Sequence, residues 1–320
     1  MDILSEIPSA FSLVREQLIR EFPREKVIGL DTKRAERFIE EKGLPVKPYV
    51  IFDSNDYDKV EKIVGNTNLL RNAFQNGVNG IYSPEMDLIL VRRDEKLEKM
   101  NGGIYTEGLL VHELAHASSM YQGYITSNKQ RFYTPRVGFC LPQNNTPWGW
   151  LLEEGWADMH GAEYFSKFAT EEQKRRIEDI MKFGPLNWED TIPIVTPKGN
   201  ILPLPVKYIY INEKGGPTIK SSAYAGYTIE LLCRIDPTLY SILKQARSSV
   251  EGLRKLAIQI DRISPSLYFL LQTSDYSEND FSTRLQEVIS RVYGDVRNLI
   301  KGSDTLKTKW NNLLQSKNKD

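Results

Sequence analysis

The chain has 320 residues, enough for one large domain or two ordinary ones with a substantial core. Apolar residues make up 40% and charged residues 26%, values of a globular rather than a disordered chain. The 42 basic residues balance the 42 acidic ones, so net charge gives no support to a nucleic-acid or membrane-surface partner.

The opening stretch MDILSEIPSAFSLVREQLIREF has no basic leader, no unbroken apolar core and no small-residue cleavage site, so no secretory signal is expected. No apolar run approaches the length of a membrane span. The two cysteines, Cys140 and Cys233, lie far apart and need not pair. These features predict a cytoplasmic location and no membrane span.

Residues 1–45 read as helices, with Leu13, Leu18 and Phe22, then Ala35, Phe38 and Ile39, at helical spacing. PYVIFDS (48–54) is a β-type run, and DYDKVEKIVG (56–65) returns to a helical pattern closed by Gly65. GIYSPEMDLILVRR (80–93) predicts two strands about a Ser83-Pro84 turn, the second from Asp87 to Arg92. A strong helix follows over 103–121. FYTPRVGFC (132–140) predicts a hairpin, and Thr146-Pro147 starts a second strong helix running to Phe168. TEEQKRRIEDIMKFG (170–184) is a helix capped by Thr170. Residues 185–220 hold two β-type stretches about Lys198-Gly199-Asn200, whose prolines predict edge strands or an extended flap. From Ser221 onward the pattern is helical, ending in Leu306, Trp310, Leu313 and Leu314 on one docking face.

The expected fold class is α+β. Residues 1–165 form an N-terminal lobe with a small mixed sheet, 166–220 a connecting helix and Pro-rich β-type segment, and 221–320 a mainly helical C-terminal lobe.

VHELAHASS (111–119) places His112 and His116 four apart on the first strong helix. Residues at that spacing share a face, so two imidazoles can meet one metal ion. Zinc takes such nitrogens at about 2.0–2.1 Å in a tetrahedral shell. Glu113 follows the first histidine, where it can take a proton from a metal-activated water. The chain has only three histidines, and two of them form this motif. LLEEGWADMH (151–160), on the second strong helix, adds Glu154 and Asp158, again four apart and set among Trp150, Leu151, Leu152, Trp156 and Ala157. Glu153 points about 100° away around that helix, with Ala157 rather than an acid one turn on. His160 lies off the face of Glu154. An ordinary acidic helix face remains the alternative for Glu154 and Asp158.

Together HELAH (112–116) and EGWAD (154–158) resemble the gluzincin group of zinc peptidases, the thermolysin-like superfamily. The resemblance covers about 20 residues. The metzincin continuation after His116 is absent, Glu153 stands where thermolysin-like enzymes have Asn, and no G-x-M-E-N exopeptidase signature occurs. The resemblance implies a gluzincin-like fold, one zinc per chain, Glu154 as third ligand, and Asp158 accepting the free ring N–H of His112. It also implies a tyrosine in the C-terminal lobe as oxyanion donor, Tyr224 or alternatively Tyr227, and a strand before the first zinc helix that pairs with extended substrate, a role Asp87–Arg93 would fill. An ordinary sheet strand there is the alternative.

The function expected is a zinc metallopeptidase acting on a peptide or protein substrate, with Glu113 as general base. A zinc amidase or deacylase acting on a non-peptide amide, and an inactive binding module on the same fold, remain alternatives. Trp148, Trp150 and Trp156 read as core or as an apolar subsite, and Cys140 as a buried cysteine before an inhibitory thiolate. Oligomeric state is not encoded in any of these patterns.

Overall fold

The computed structural model describes residues 3–23, 29–65, 78–83, 86–101, 103–118, 122–126, 131–136, 138–140, 149–181, 187–195, 201–212, 214–220, 222–273, 279–294 and 308. The fold is α+β, with helices dominant and sheets small. Its contacts divide the chain into two compact units, Met1–Gly138 and Phe139–Asp320. The helix carrying Glu154 therefore groups with the helices that follow it.

The first unit runs α1 (Ile3–Glu21), α2 (Thr32–Glu41), β1 (Tyr49–Asp53), α3 (Tyr57–Val64), β2 (Gly80–Ser83), β3 (Leu88–Arg93), α4 (Glu95–Met100), α5 (Tyr105–Ala117), β4 (Gln122–Thr126) and β5 (Arg131–Arg136). β3 begins with four consecutive buried residues, as a strand covered on both faces must. It is the central strand. β1 lies parallel to it with Val50 opposite Leu90, and β2 lies antiparallel with Gly80 opposite Val91. Val50, Phe52, Leu88 and Leu90 pack with Leu18 of α1, Phe22 just beyond its end and Val60 of α3. Val91 and Gly80 point to the opposite face, where α5 packs.

Leu13 does not belong to the α1 core face. It is exposed, and the stripe runs instead through Phe11, Val14, Leu18 and Phe22. α3 ends at Gly65 with φ +72°, a conformation that glycine adopts without steric cost. The hairpin expected within 132–140 is formed by β4 and β5, so its first strand lies earlier in the chain.

The second unit runs α6 (Trp150–Phe168), α7 (Glu171–Met181), β6 (Thr191–Val195), β7 (Ile201–Pro205), β8 (Ile209–Ile211), β9 (Pro217–Ile219), α8 (Ala223–Ile235), α9 (Thr238–Ala246), α10 (Val250–Ile263), α11 (Leu267–Thr273) and α12 (Asn279–Tyr293). Thr170 and Gln173 bond reciprocally at the head of α7: the Thr170 hydroxyl accepts from Gln173 N at 3.3 Å, and the Gln173 side chain accepts from Thr170 N. β6 and β7 pair only with each other among the described residues, with Pro193 opposite Pro203. A two-stranded ribbon tolerates the missing N–H groups. Thr146, the segment 196–200 and the terminal docking helix lie outside the described residues. Among those described, no helix is long and apolar enough to cross a membrane.

α6 and α8 cross at glycine. A Cβ on Gly155 would stand 2.7 Å from Ala225 Cβ and 2.9 Å from Gly226 N, so the two backbones nearly touch beside Glu154. α8 is braced from behind by Glu230, which accepts from Lys207 Nζ at 2.9 Å and from the Tyr208 hydroxyl at 3.0 Å. Lys207 is buried and also bonds Glu189 at 2.7 Å. Gly155→Ala should force the helices apart and lower folding stability by about 1–3 kcal/mol, measurable by denaturant unfolding.

Candidate metal centre

α5 is buried on every side: each residue from Leu110 to Ala117 is inaccessible to solvent or nearly so. Such a helix shows no polar face in its sequence, and its polar side chains must find partners inside the protein. Its first turn is organised by two carboxylates. Glu98 of α4 accepts from Thr106 N at 2.9 Å and from the Thr106 hydroxyl, supplying the cap that Ile104 cannot. Burial raises the Glu98 carboxyl above its ordinary range, while the bonds from Thr106 oppose that shift. Glu107 accepts from Arg34 of α2 at 2.7 Å and from Asp31 N at 2.8 Å. These bonds tie α5 to α2 and α4.

With α5 so held, His112 and His116 stand one turn apart with Nε2 atoms 3.1 Å from each other and rings nearly perpendicular. Two nitrogens bound to one tetrahedral zinc at 2.0–2.1 Å would stand about 3.3 Å apart, so the pair fits a shared ion. Glu113 is buried and lies against Gly80 of β2. A Cβ at Gly80 would fall 2.6 Å from Glu113 Oε1. Any side chain at position 80 would require the Glu113 carboxylate to move.

This arrangement corrects the role expected for residues 87–93. β3 is paired on both sides, to β1 and β2, so it has no edge to offer a peptide. The outer strand beside Glu113 is β2.

On α6, Glu154 is half-buried and Asp158, one turn on, is buried. Asp158 Oδ2 accepts from the Ser222 hydroxyl at 2.5 Å and Oδ1 from Lys220 Nζ at 3.3 Å. Glu153 is committed elsewhere. Its carboxylate accepts from Arg247 Nη2 at 2.5 Å and from Phe139 N at 2.9 Å, in a pair whose side chains are only 3% and 4% exposed. Arg247 also lies over the Trp156 ring at 5.4 Å. His160 is fully buried. Because a carbonyl can only accept, its Nδ1–H donates to Trp156 O at 2.8 Å, which leaves Nε2 to accept from the Tyr240 hydroxyl at 3.0 Å. That is a structural histidine.

Cys140 is half-buried, and burial pushes its thiol well above the ordinary value, with the Glu153 and Glu154 carboxylates adding to the shift. That direction disfavours a thiolate. Cys233 is also free and half-buried, pushed up to about 12 by burial and then by Glu230 and Asp236. Trp156 is buried, Trp150 is exposed, and Trp148 lies outside the described residues.

Tyr224 and Tyr227 are both buried on α8. The Tyr227 ring lies 6.2 Å from that of Tyr208, tilted by 57°, and burial raises its hydroxyl pKa, helped by neighbouring Tyr293 and Glu230. It belongs to the charged brace behind α8. Tyr224 adjoins Ala225, the residue that meets Gly155 at the helix crossing.

One ligand atom from each of His112, His116 and Glu154 lies within 4.8 Å of the others, a group that could hold a metal ion. No protein-family model, curated protein or solved structure matches the chain. Gly80, Ser222, Lys220 and Glu98 add to the residues that the motifs single out. A glycine opening a short strand was a signal for Gly80; nothing in the sequence marks the other three.

Gly80→Ala should displace Glu113 while leaving His112 and His116 in place; metal uptake by equilibrium dialysis should persist while any hydrolytic activity falls at least tenfold. Glu153→Gln should cost about 3–5 kcal/mol in denaturant unfolding, since Arg247 would be left buried without its counter-charge. Glu154→Gln, at a half-buried position, should cost far less in the same measurement.

Proposed function

We propose that the chain is a zinc-dependent metallopeptidase. The observation that carries this reading is the convergence of His112, His116 and Glu154, with Glu113 buried beside them in sequence on a fully enclosed helix. Two neutral imidazoles and one carboxylate are the donor set of catalytic zinc, which keeps a fourth position open. When bound, zinc would polarise a substrate carbonyl and lower the pKa of a coordinated water towards about 7.

The chain's own residues do the rest. Glu113 accepts the proton of the attacking water as its oxygen adds to the peptide carbonyl carbon. As the C–N bond breaks, Glu113 returns that proton to the leaving amine. Tyr224 donates its hydroxyl to the developing oxyanion, the role for which Tyr227 is poorly suited by its place in the brace behind α8. The resemblance would have Asp158 accept the ring N–H of His112 and so fix its tautomer. An extended substrate would lie along β2, whose Gly80 keeps the backbone close to Glu113.

Glu113→Gln should bind zinc as the wild type does and lose peptide hydrolysis by several orders of magnitude. Glu154→Ala should lose zinc itself, measured as metal content after dialysis. Hydrolysis retained in the Glu113→Gln variant would overturn the mechanism. Zinc binding without cleavage of any peptide in a mixed library would favour the binding-module alternative, and cleavage of non-peptide amides alone the amidase.

A further inference from the structure

β2 is the outer strand of its sheet and four residues long, so a ladder to β3 holds it on one side and begins at Gly80. Strand ends of this kind open first. Here the end is clamped. Arg92 of β3 donates its main-chain N–H to Asn79 O at 2.7 Å, and its guanidinium donates from Nε and Nη2 to Asn79 Oδ1 at 2.9 and 2.6 Å. The bonds to the side chain are charge-assisted, and Asn79 is only 8% exposed, so water competes weakly for them. Asn79 Nδ2 faces the Tyr105 hydroxyl at 3.5 Å, at the first residue of α5. The residue after Asn79 is Gly80, against which the Glu113 carboxylate lies.

We propose that Arg92 and Asn79 are positioning residues for Glu113, acting through the backbone of Gly80; this rests on the hydrolytic reading given above. All of these residues belong to the first compact unit, and each step between them is a bond or a close contact within it. A Cβ on Gly80 would stand 2.8 Å from Glu113 Cγ and 3.0 Å from its Cδ as well as 2.6 Å from Oε1. The carboxylate thus lies along the strand backbone instead of touching it at one atom. If the start of β2 moved, the carboxylate would gain room to swing away from the water it must deprotonate. A misplacement of about 1 Å in a catalytic group can cost about a hundredfold in rate. His112 and His116 are held by the buried α5, so loss of the clamp should slow the chemical step and leave the metal in place.

The test is hydrolysis of the best-cleaved member of a fluorogenic peptide library by the full zinc-loaded chain, with kcat and KM read separately and zinc content measured alongside. Arg92→Met keeps the apolar stem and removes the side-chain donors; it should lower kcat about tenfold, with KM within about twofold of the wild type and zinc content unchanged. Asn79→Ala, which removes the acceptor, should match it, and Asn79→Asp, which keeps Oδ1, should recover most of the rate. On a Gly80→Ala background, where Glu113 is already displaced, Arg92→Met should lower kcat no further. The proposal is overturned if Arg92→Met and Asn79→Ala keep the wild-type kcat, if Arg92→Met costs the same factor in both backgrounds, or if it acts by lowering zinc content. A wild-type chain that binds zinc and cleaves no peptide would overturn the hydrolytic reading as well, whereas a cleaving wild type with undiminished kcat in the variants overturns this role alone.

Discussion

A carboxylate taken out of water must be met by donors, and much of this structure follows from how its buried acids are met. Glu98, Glu107, Glu153 and Asp158 are each 7% exposed or less, and each is answered by a different kind of partner. Glu98 is answered by the amide and hydroxyl at a helix start, Glu107 by an arginine of another helix and a loop amide, Glu153 by a buried guanidinium, and Asp158 by a serine and a lysine. Each bond ties one element to another. The acids therefore act as joints, and the rotation of α5 and α6 about their own axes is set by them as much as by apolar packing.

The pair of neighbours Glu153 and Glu154 shows how this works. They are separated by about 100° around α6, and one is sealed in an ion pair with Arg247 while the other remains half-accessible. Rotating α6 so that Glu154 took the place of Glu153 would break the pair with Arg247, and Asp158 would leave Ser222. Which of the two acids stays accessible is thus set by the surrounding joints and not by the acid's chemistry alone.

Much of the fold was legible because periodicity reports burial. The strands 49–53 and 88–93, the helices α2, α3 and α7, and the Thr170 cap all follow from apolar spacing and cap residues read along the chain. The spacing of His112 and His116 likewise made their convergence readable. What periodicity misses is pairing order. Nothing in the run 87–93 says that it is flanked on both sides, and this is why an edge role was expected for a central strand. Leu13 was misplaced because several helical stripes pass through the same apolar residues. Ser222 would be misread from sequence for a different reason: its type and position both describe a cap, and only the direction of its hydroxyl shows otherwise.

The scarcity of histidine gives the protein a useful spectroscopic property. Of its three imidazoles, His160 is enclosed between Trp156 and Tyr240, with both nitrogens engaged and its tautomer set by a carbonyl. Its ring resonances should therefore hold still while those of His112 and His116 respond to any ion they share. The chain carries an internal reference beside its two reporters, and a three-signal imidazole spectrum is enough to follow the state of the site.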